Sequence, residues 1–417
     1  MALFTTEHPF ITGIDISSSA FWAKPFDERE ESFARLRAEH PVSWHPPTSW
    51  HEPHEQQGFW AVTRAMDIRT VSMNSKVFRS RHGVMMDPLA PELSTAASFF
   101  LTMDFPHHSR YRRLISAAFT PKAIAQITEQ IERSARLIVD DLVATGDIDF
   151  VESCSSRLPM TTVSDIVGIP QSQRARVSLA AERLVGGADV PGLPMEKAYE
   201  LLAGEMFYLL GVGHELAAYR RQHPADDLMT NLVQAEIDGE RLTDDDIGAF
   251  LVLISVAGND TTKQTTSLTM LTLQEHLAQK AWLMADFSGR IGRATQEFLR
   301  HTSPVMQFAR TAAQDTVLNG ARISAGDKVV MFYCSGNRDE SVFDDPNAFH
   351  LDRQPNPHVS FGGGGAHFCL GNGVAKTQLR AIFHQLLTRV PRIEFGDPVR
   401  LHSNFINGVD RLPARVG

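Results

Sequence analysis

Between Leu242 and His276 the chain carries a run, LTDDDIGAFLVLISVAGNDTTKQTTSLTMLTLQEH, that reads as one uninterrupted helix. Thr243 and Asp246 stand at its start in capping-box spacing, so its first unpaired N–H groups have partners nearby in sequence. At about 1.5 Å per residue the helix reaches about 50 Å, enough to cross a whole domain, and the rest of the chain has to be arranged around it. Its centre is unusual for a core helix. Gly258 costs about 1 kcal/mol relative to alanine, and Asn259, Asp260, Thr261 and Thr262 put polar groups where a core helix should be apolar. Two readings follow: a kinked, exposed helix, or a groove in a buried one, where a carboxylate and a hydroxyl can pass protons to a bound oxygen species.

The 417 residues are 43% hydrophobic and 21% charged, a balance that supports a large core and excludes disorder. No linker rich in Pro, Gly or Ser and no repeat divides the chain, so one domain over residues 1–417 is expected. A net charge of -9 argues against nucleic acid or an anionic membrane as partner. Cys154, Cys334 and Cys369 are odd in number and widely spaced, which fits neither a disulfide framework nor a zinc ribbon and suggests a reducing compartment. The N-terminus has no signal-like pattern, and the strongest apolar run, Phe250 to Ile254, is too short to cross a bilayer. A cytoplasmic location without a membrane anchor is the expectation.

Most of the chain has helical periodicity. Ile127, Ile131, Ala135, Ile138 and Leu142 form one apolar stripe between Pro121 and Gly146. Weaker patterns cover Glu196 to Arg221, Gly289 to His301 and Gly373 to Arg389. Short strand signals lie in VSWHP, GFWAVTR, TVLNGARI and DKVVMFY and near Arg411, giving a mainly α fold whose large helical body carries a small antiparallel β region. Two long irregular stretches interrupt the pattern, Phe78 to Met103 and Asn337 to His367; the apolar content of the first suits a ligand-covering loop.

There is no Walker A loop, no G-x-S-x-G and no H-E-x-x-H. His51 and His54 flank Pro53 and read as a solvated loop. The most informative segment is FGGGGAHFCLGNGVAKTQL, from Phe361, where Cys369 sits after a glycine run and just ahead of a helix. Unpaired N–H groups at that helix start would favour a thiolate, suited to an axial ligand for haem iron. Glu297 and Arg300 lie three apart on a helix and alone read as a surface pair; Arg353, in a turn-rich loop, is a candidate third member. His108 and Arg112, four apart after Pro106, put two cationic donors on one helical face, suited to an anionic ligand.

In this order these segments resemble the cytochrome P450 superfamily over nearly the full length. The joint occurrence of AGNDTT at 257–262, Glu297-x-x-Arg300 and the glycine loop with Cys369 carries the resemblance. It implies haem b held between the long central helix and the cysteine-loop helix, with Cys369 as the metal ligand and Ala257, Gly258, Phe361 and Gly371 bordering the cofactor. His108, Arg112, Arg310 and His367 would hold the haem propionates. Asp260 and Thr261 would govern proton delivery, and Glu297, Arg300 and Arg353 would form a structural network. Phe361 stands eight residues before Cys369 instead of the usual seven, so one residue is inserted in this loop. This longer form and the C-terminal NFINGVDRLP are similar to bacterial hydroxylases of sterol side chains and methyl-branched lipids.

The resemblance implies a monooxygenase that takes O2, an apolar small-molecule substrate and electrons from a ferredoxin and its reductase, in a monomeric enzyme. Lys376 and Arg380, with Arg110 and Arg113, would make a basic patch for an acidic ferredoxin. Phe99, Phe100, Leu101, Val256, Val305, Met306, Phe308, Phe405 and Ile406 would line the substrate pocket, favouring a branched lipid, isoprenoid or sterol side chain attacked near a terminal carbon. A tailoring oxidase of a terpene or polyketide pathway is the alternative within the family. From another class, a non-catalytic carrier of hydrophobic ligands would share the cavity but have no use for Cys369.

Overall fold

The structure, a computed structural model, describes residues 13–48, 58–87, 99–116, 119–143, 145–186, 195–237 and 239–417. The central helix spans Asp244–Glu275, about 48 Å long, with the capping box of Thr243 and Asp246 closed in both directions. Most of it is buried, which decides its polar centre in favour of a buried helix. Thr261, Thr265, Thr266 and Thr272 donate their hydroxyls to the carbonyls four residues earlier at 2.8–3.1 Å, so the helix satisfies them itself. A Cβ on Gly258 would come within 2.7 Å of Val163 Cγ2, and glycine therefore lets the helix Arg157–Val167 lie close.

Around the N-terminal half of the central helix, Arg157–Val167, Gln171–Gly186 and Met195–Gln222 bury a core that includes Val163, Val177, Leu209, Phe250 and Leu251. Around its C-terminal half, Pro121–Val143, Phe287–Thr302 and Asn372–Arg389 form a second core. The expected stripe Ile131, Ala135, Ile138 and Leu142 is buried there, with Ile127 packed against it.

The main sheet has five strands in the order Val42–His45, Phe59–Val62, Lys328–Phe332, Gln307–Ala312, Phe78–Arg79. It is mixed and not purely antiparallel, since Phe59–Val62 and Lys328–Phe332 run parallel. A parallel pair needs a long crossover, and here the whole helical body supplies it. The strand signal TVLNGARI is a separate hairpin, Thr316–Leu318 with Ala321–Ile323, turned at Asn319 and Gly320, both with positive φ. Near the C-terminus Val409–Arg411 pairs with Val399–Arg400. The Gln264 side chain ties this region to the central helix: its amide donates to Val409 O at 3.2 Å and accepts from Val409 N at 2.9 Å.

Of the irregular stretch 78–103, the start is an edge strand and Phe99–Thr102 is a 3-10 turn; residues 88–98 lie outside the described residues, as do His51 and His54. Among the described residues no helix is long and apolar enough to cross a membrane.

Candidate active site

Gly362, Gly363, Gly364 and Gly365 all have φ between 71° and 108°, a run that only glycine sustains. The loop lies on the helix Ala65–Met73: a Cβ on Gly365 would strike the Ser72 carbonyl, and one on Gly363 would stand 3.2 Å from Ser72 Oγ. The inserted glycine is absorbed there, and Phe361 stays with the cysteine. Its carbonyl accepts from Cys369 N at 3.0 Å, and its ring lies 6.1 Å from that of Phe368.

Cys369 precedes the helix Asn372–Arg389. Burial pushes its thiol above the ordinary range, while the Gly371 N–H, Arg112, Lys376 and the Asn372 N–H pull the other way. The donors around the sulfur reduce the penalty without removing it, and a bound metal ion would complete the deprotonation.

The four expected anion-binding side chains come together from three places in the chain. His108 and Arg112 are on the helix His107–Ser116, Arg310 is on the strand Gln307–Ala312, and His367 is in the glycine loop. The His108 and His367 rings are 4.1 Å apart. Arg112 Nη2 donates to Phe368 O at 2.6 Å and Arg310 Nη1 to Ala309 O at 2.6 Å. Among the described residues none of the four has an ion-pair partner, and nearby Asp104 is already bonded to Ser80 N at 2.9 Å. Burial first, then Arg112 and Arg310, push His108 down to about 4; burial first, then Arg310, His108 and Arg112, push His367 down to about 2. His108 Nε2 is buried with no hydrogen-bond partner.

On the central helix, Ala257 is exposed and Val256, Gly258 and Thr261 are half-buried, although Ser255, Asn259, Asp260 and Thr262 beside them are buried. One narrow face at mid-helix is therefore open while the rest is packed. Asp260 forms an ion pair with Lys263 at 2.5 Å.

Glu297 and Arg300 are fully buried and joined by two parallel bonds of 2.7 and 2.8 Å, so the surface-pair reading does not hold. Arg353 joins Glu297 at 3.3 Å, and His350 N and Asn356 Nδ2 add bonds of 2.9 Å each. Arg300 also donates to the carbonyls of Asn337, Pro346 and Ala348. Burial would raise the Glu297 carboxyl, but these partners hold it below the ordinary range.

Of the expected pocket residues, Phe308 and Phe405 meet edge to face at 5.4 Å, and Val305 bridges to Ile406. Phe100 is buried with its ring 5.8 Å from His108, and Leu101 packs beside it; the Phe99 side chain lies outside the described residues. Met306 departs from the expectation. It precedes the strand and packs with Ala309 against Ile14, Trp22 and Phe33, accepting a bond from Arg29 Nη1 at 3.6 Å.

The profile of the family described as Cytochrome P450 matches residues 214–390. The methyl-branched lipid omega-hydroxylase of Mycobacterium tuberculosis is 36% identical over 97% of this chain and 94% of that protein. The chain belongs to the cytochrome P450 family. Another relative of this P450 is the steroid C26-monooxygenase of Mycobacterium bovis, 36% identical over 95% of this chain and 91% of that protein. A Mycobacterium marinum cytochrome P450 solved in complex with pseudoionone superposes with a TM-score of 0.95 at 49% identity, covering 98% of this chain and all of that one.

As a P450 the protein is a haem-thiolate monooxygenase, and the carrier reading is set aside. The donor set fits haem b. A soft sulfur ligand stands ahead of a helix, and four cationic or donor side chains without carboxylate partners match a group bearing two carboxylates. Two residues beyond the sequence reading touch these side chains. Ser80 Oγ holds His367 Nε2 at 3.1 Å, and Lys263 holds Asp260. The second was visible in sequence only as an i,i+3 pair, which usually lies on a surface. On the cysteine-loop side Lys376 is half-buried, Arg113 and Arg380 are exposed, and Arg110 is paired with Glu240, which takes it out of the expected basic patch.

Proposed function

We propose that this P450 hydroxylates an elongated, methyl-branched lipid, isoprenoid or sterol side chain at or near a terminal carbon, with electrons from a ferredoxin and its reductase. The observation that carries the substrate class is the wall formed by Phe308 and Phe405 with Val305 and Ile406, which offers hydrocarbon contact and no fixed charge. Burial against such a wall contributes about 25 cal/mol per Å², which favours long apolar chains over compact polar molecules. The names of the two mycobacterial hydroxylases support the same class, as does pseudoionone, a branched isoprenoid, in the Mycobacterium marinum structure.

Cys369 would hold the haem iron; His108, Arg112, Arg310 and His367 would hold the propionates; Ala257, Gly258, Phe361 and Gly371 would border the ring. Bound haem supplies dioxygen activation, helped by electron donation from the thiolate. The residues of the chain then have three tasks. The aromatic wall places the terminal carbon and excludes water. The Thr261 hydroxyl, donating to Ala257 O at 3.1 Å, stands on the open face of the central helix where it can pass a proton inward. Asp260, the next residue back, can replace that proton. Arg113, Lys376 and Arg380 would attract the acidic ferredoxin, and the enzyme would act as a cytoplasmic monomer.

A panel of methyl-branched fatty acids, isoprenoid alcohols, sterols, polar aromatics and macrolides tests the reading. At least one branched lipid, isoprenoid or sterol should give a type I spectral shift and a terminal hydroxy product. Binding and turnover confined to the polar aromatics or macrolides would overturn the substrate class and leave the monooxygenase activity in place.

A further inference from the structure

Ser80 follows the edge strand Phe78–Arg79 and is only 1% exposed. Its N–H donates to Asp104 Oδ1 at 2.9 Å, and its hydroxyl stands 3.1 Å from His367 Nε2. The Arg81 N–H reaches the other Asp104 oxygen at 3.4 Å. Asp104 also uses its carbonyl, which accepts from His108 N at 2.9 Å where the helix His107–Ser116 begins. Since the His108 and His367 rings are 4.1 Å apart, contacts run from Asp104 to Ser80, His367, His108 and back to Asp104. Three stretches of chain far apart in sequence are locked together by this closed ring.

Two of its atoms are left over. His367 Nδ1 and His108 Nε2 are buried without a hydrogen-bond partner, a costly state for a polar atom unless a ligand completes it. A nitrogen that holds a carboxylate must carry a proton, and in a neutral imidazole the other nitrogen is then an acceptor. For His367 that acceptor is Nε2, so the group facing it has to donate. The Ser80 hydroxyl faces it and has a proton to give. Without that hydroxyl, Nε2 would be free to keep the proton, and Nδ1 would turn a lone pair toward the carboxylate.

We propose that Ser80 is a positioning residue for the cofactor: its hydroxyl donates to His367 Nε2 and fixes the tautomer with the proton on Nδ1, the nitrogen left for a haem propionate. Asp104 is the clasp, because it holds the N–H of Ser80 with its carboxylate and the N–H of His108 with its carbonyl. Phe100, its ring 5.8 Å from that of His108, joins the same assembly to the expected pocket. The inference rests on the reading of His367 as a propionate holder.

The test compares haem-loaded parent, Ser80→Ala, Ser80→Thr, Asp104→Ala and His367→Ala. Three quantities are measured: the rate of haem transfer to excess apomyoglobin, the propionate bending mode in the resonance Raman spectrum, and the Soret band of the reduced carbon monoxide complex as a control for the thiolate. Ser80→Ala should speed haem loss by about fivefold, the worth of one hydrogen bond, and shift the propionate mode with the Soret band unchanged. Ser80→Thr keeps a hydroxyl and should return both to parent values. Asp104→Ala should act in the same direction as Ser80→Ala; if it folds poorly, Ser80→Ala carries the test, since it removes a single oxygen. A parent-like propionate mode in Ser80→Ala, with His367→Ala altering it, would overturn the role of Ser80 and leave His367 in place. A parent-like mode and haem-loss rate in His367→Ala would overturn the propionate reading beneath it.

Discussion

The Lys376 ammonium lies 5.1 Å from the centre of the Phe361 ring, and so a cation of the cysteine-loop helix rests on the aromatic residue that opens the glycine loop. Its neighbour one turn on, Arg380, is exposed. Reversing charge at Arg380, alone and together with Lys376, should slow reduction by ferredoxin by about tenfold at low salt and flatten its salt dependence, leaving substrate-induced shifts unchanged. Stopped-flow reduction at several ionic strengths measures this. Equal salt slopes in variant and parent would place the docking surface elsewhere.

Cys369→Ser should abolish the red-shifted Soret band of the reduced carbon monoxide complex and abolish turnover, because an alcohol does not donate to iron as a thiolate does. Changes at Cys154 and Cys334 should leave the band intact. Both are buried thiols that burial raises, Cys334 to about 12, and neither stands ahead of a helix under a glycine loop.

Thr261→Ala should retain haem and substrate binding, since that side chain contributes one hydroxyl bonded within its own helix. Product per electron should fall several-fold, with the missing equivalents appearing as hydrogen peroxide. Peroxide and product assayed together decide the matter, and unchanged coupling would remove Thr261 from proton delivery.

Glu297→Gln removes the charge that compensates fully buried Arg300, at a cost of about 3–5 kcal/mol in folding stability and with low soluble yield expected. The sign of the pH effect follows from the same contacts. A carboxyl held lower in the folded than in the unfolded chain stabilises above the ordinary carboxylate range and loses that contribution as pH falls through its folded value. His45 adds a second acid-sensitive window: burial pushes it down to about 4, so the unfolded chain gains its proton first, and stability is lost between about pH 6.5 and 4. Thermal melts from pH 7 to 4 should show the decline, and His45→Gln should flatten its upper part.

Gly365→Ala should cost about 1–3 kcal/mol and lower haem incorporation, because the position combines φ of 77° with a clash against the Ser72 carbonyl. Gly204→Ala is the control: Gly204 is exposed on the helix Met195–Gln222, and a Cβ there meets nothing within 4 Å. Haem-to-protein absorbance ratios separate the two, and equal ratios would show that the loop tolerates a side chain at Gly365.

Much of the site was legible because its chemistry is local in sequence. The glycine run, Cys369 and the helix after it are consecutive, and His108 with Arg112 is a four-residue spacing on one helix. What escaped depends on the fold. The parallel pairing of Phe59–Val62 with Lys328–Phe332 closes across most of the chain. Met306 came with the family-matched segment Val305 to Phe308, and its packing with Ile14, Trp22 and Phe33 is a tertiary contact that the segment alone does not show.

The Gln264 amide acts as a rung between the central helix and Val409, and a Cβ at Gly408 would stand 2.5 Å from its oxygen. The C-terminal turn bearing Phe405 and Ile406 is therefore riveted to the same beam that carries Thr261. In the pocket as proposed, depth would then be set less by loop posture than by side-chain length at positions 405 and 406. Under that proposal, single substitutions there would change which carbon is attacked, with no insertion or deletion in the backbone.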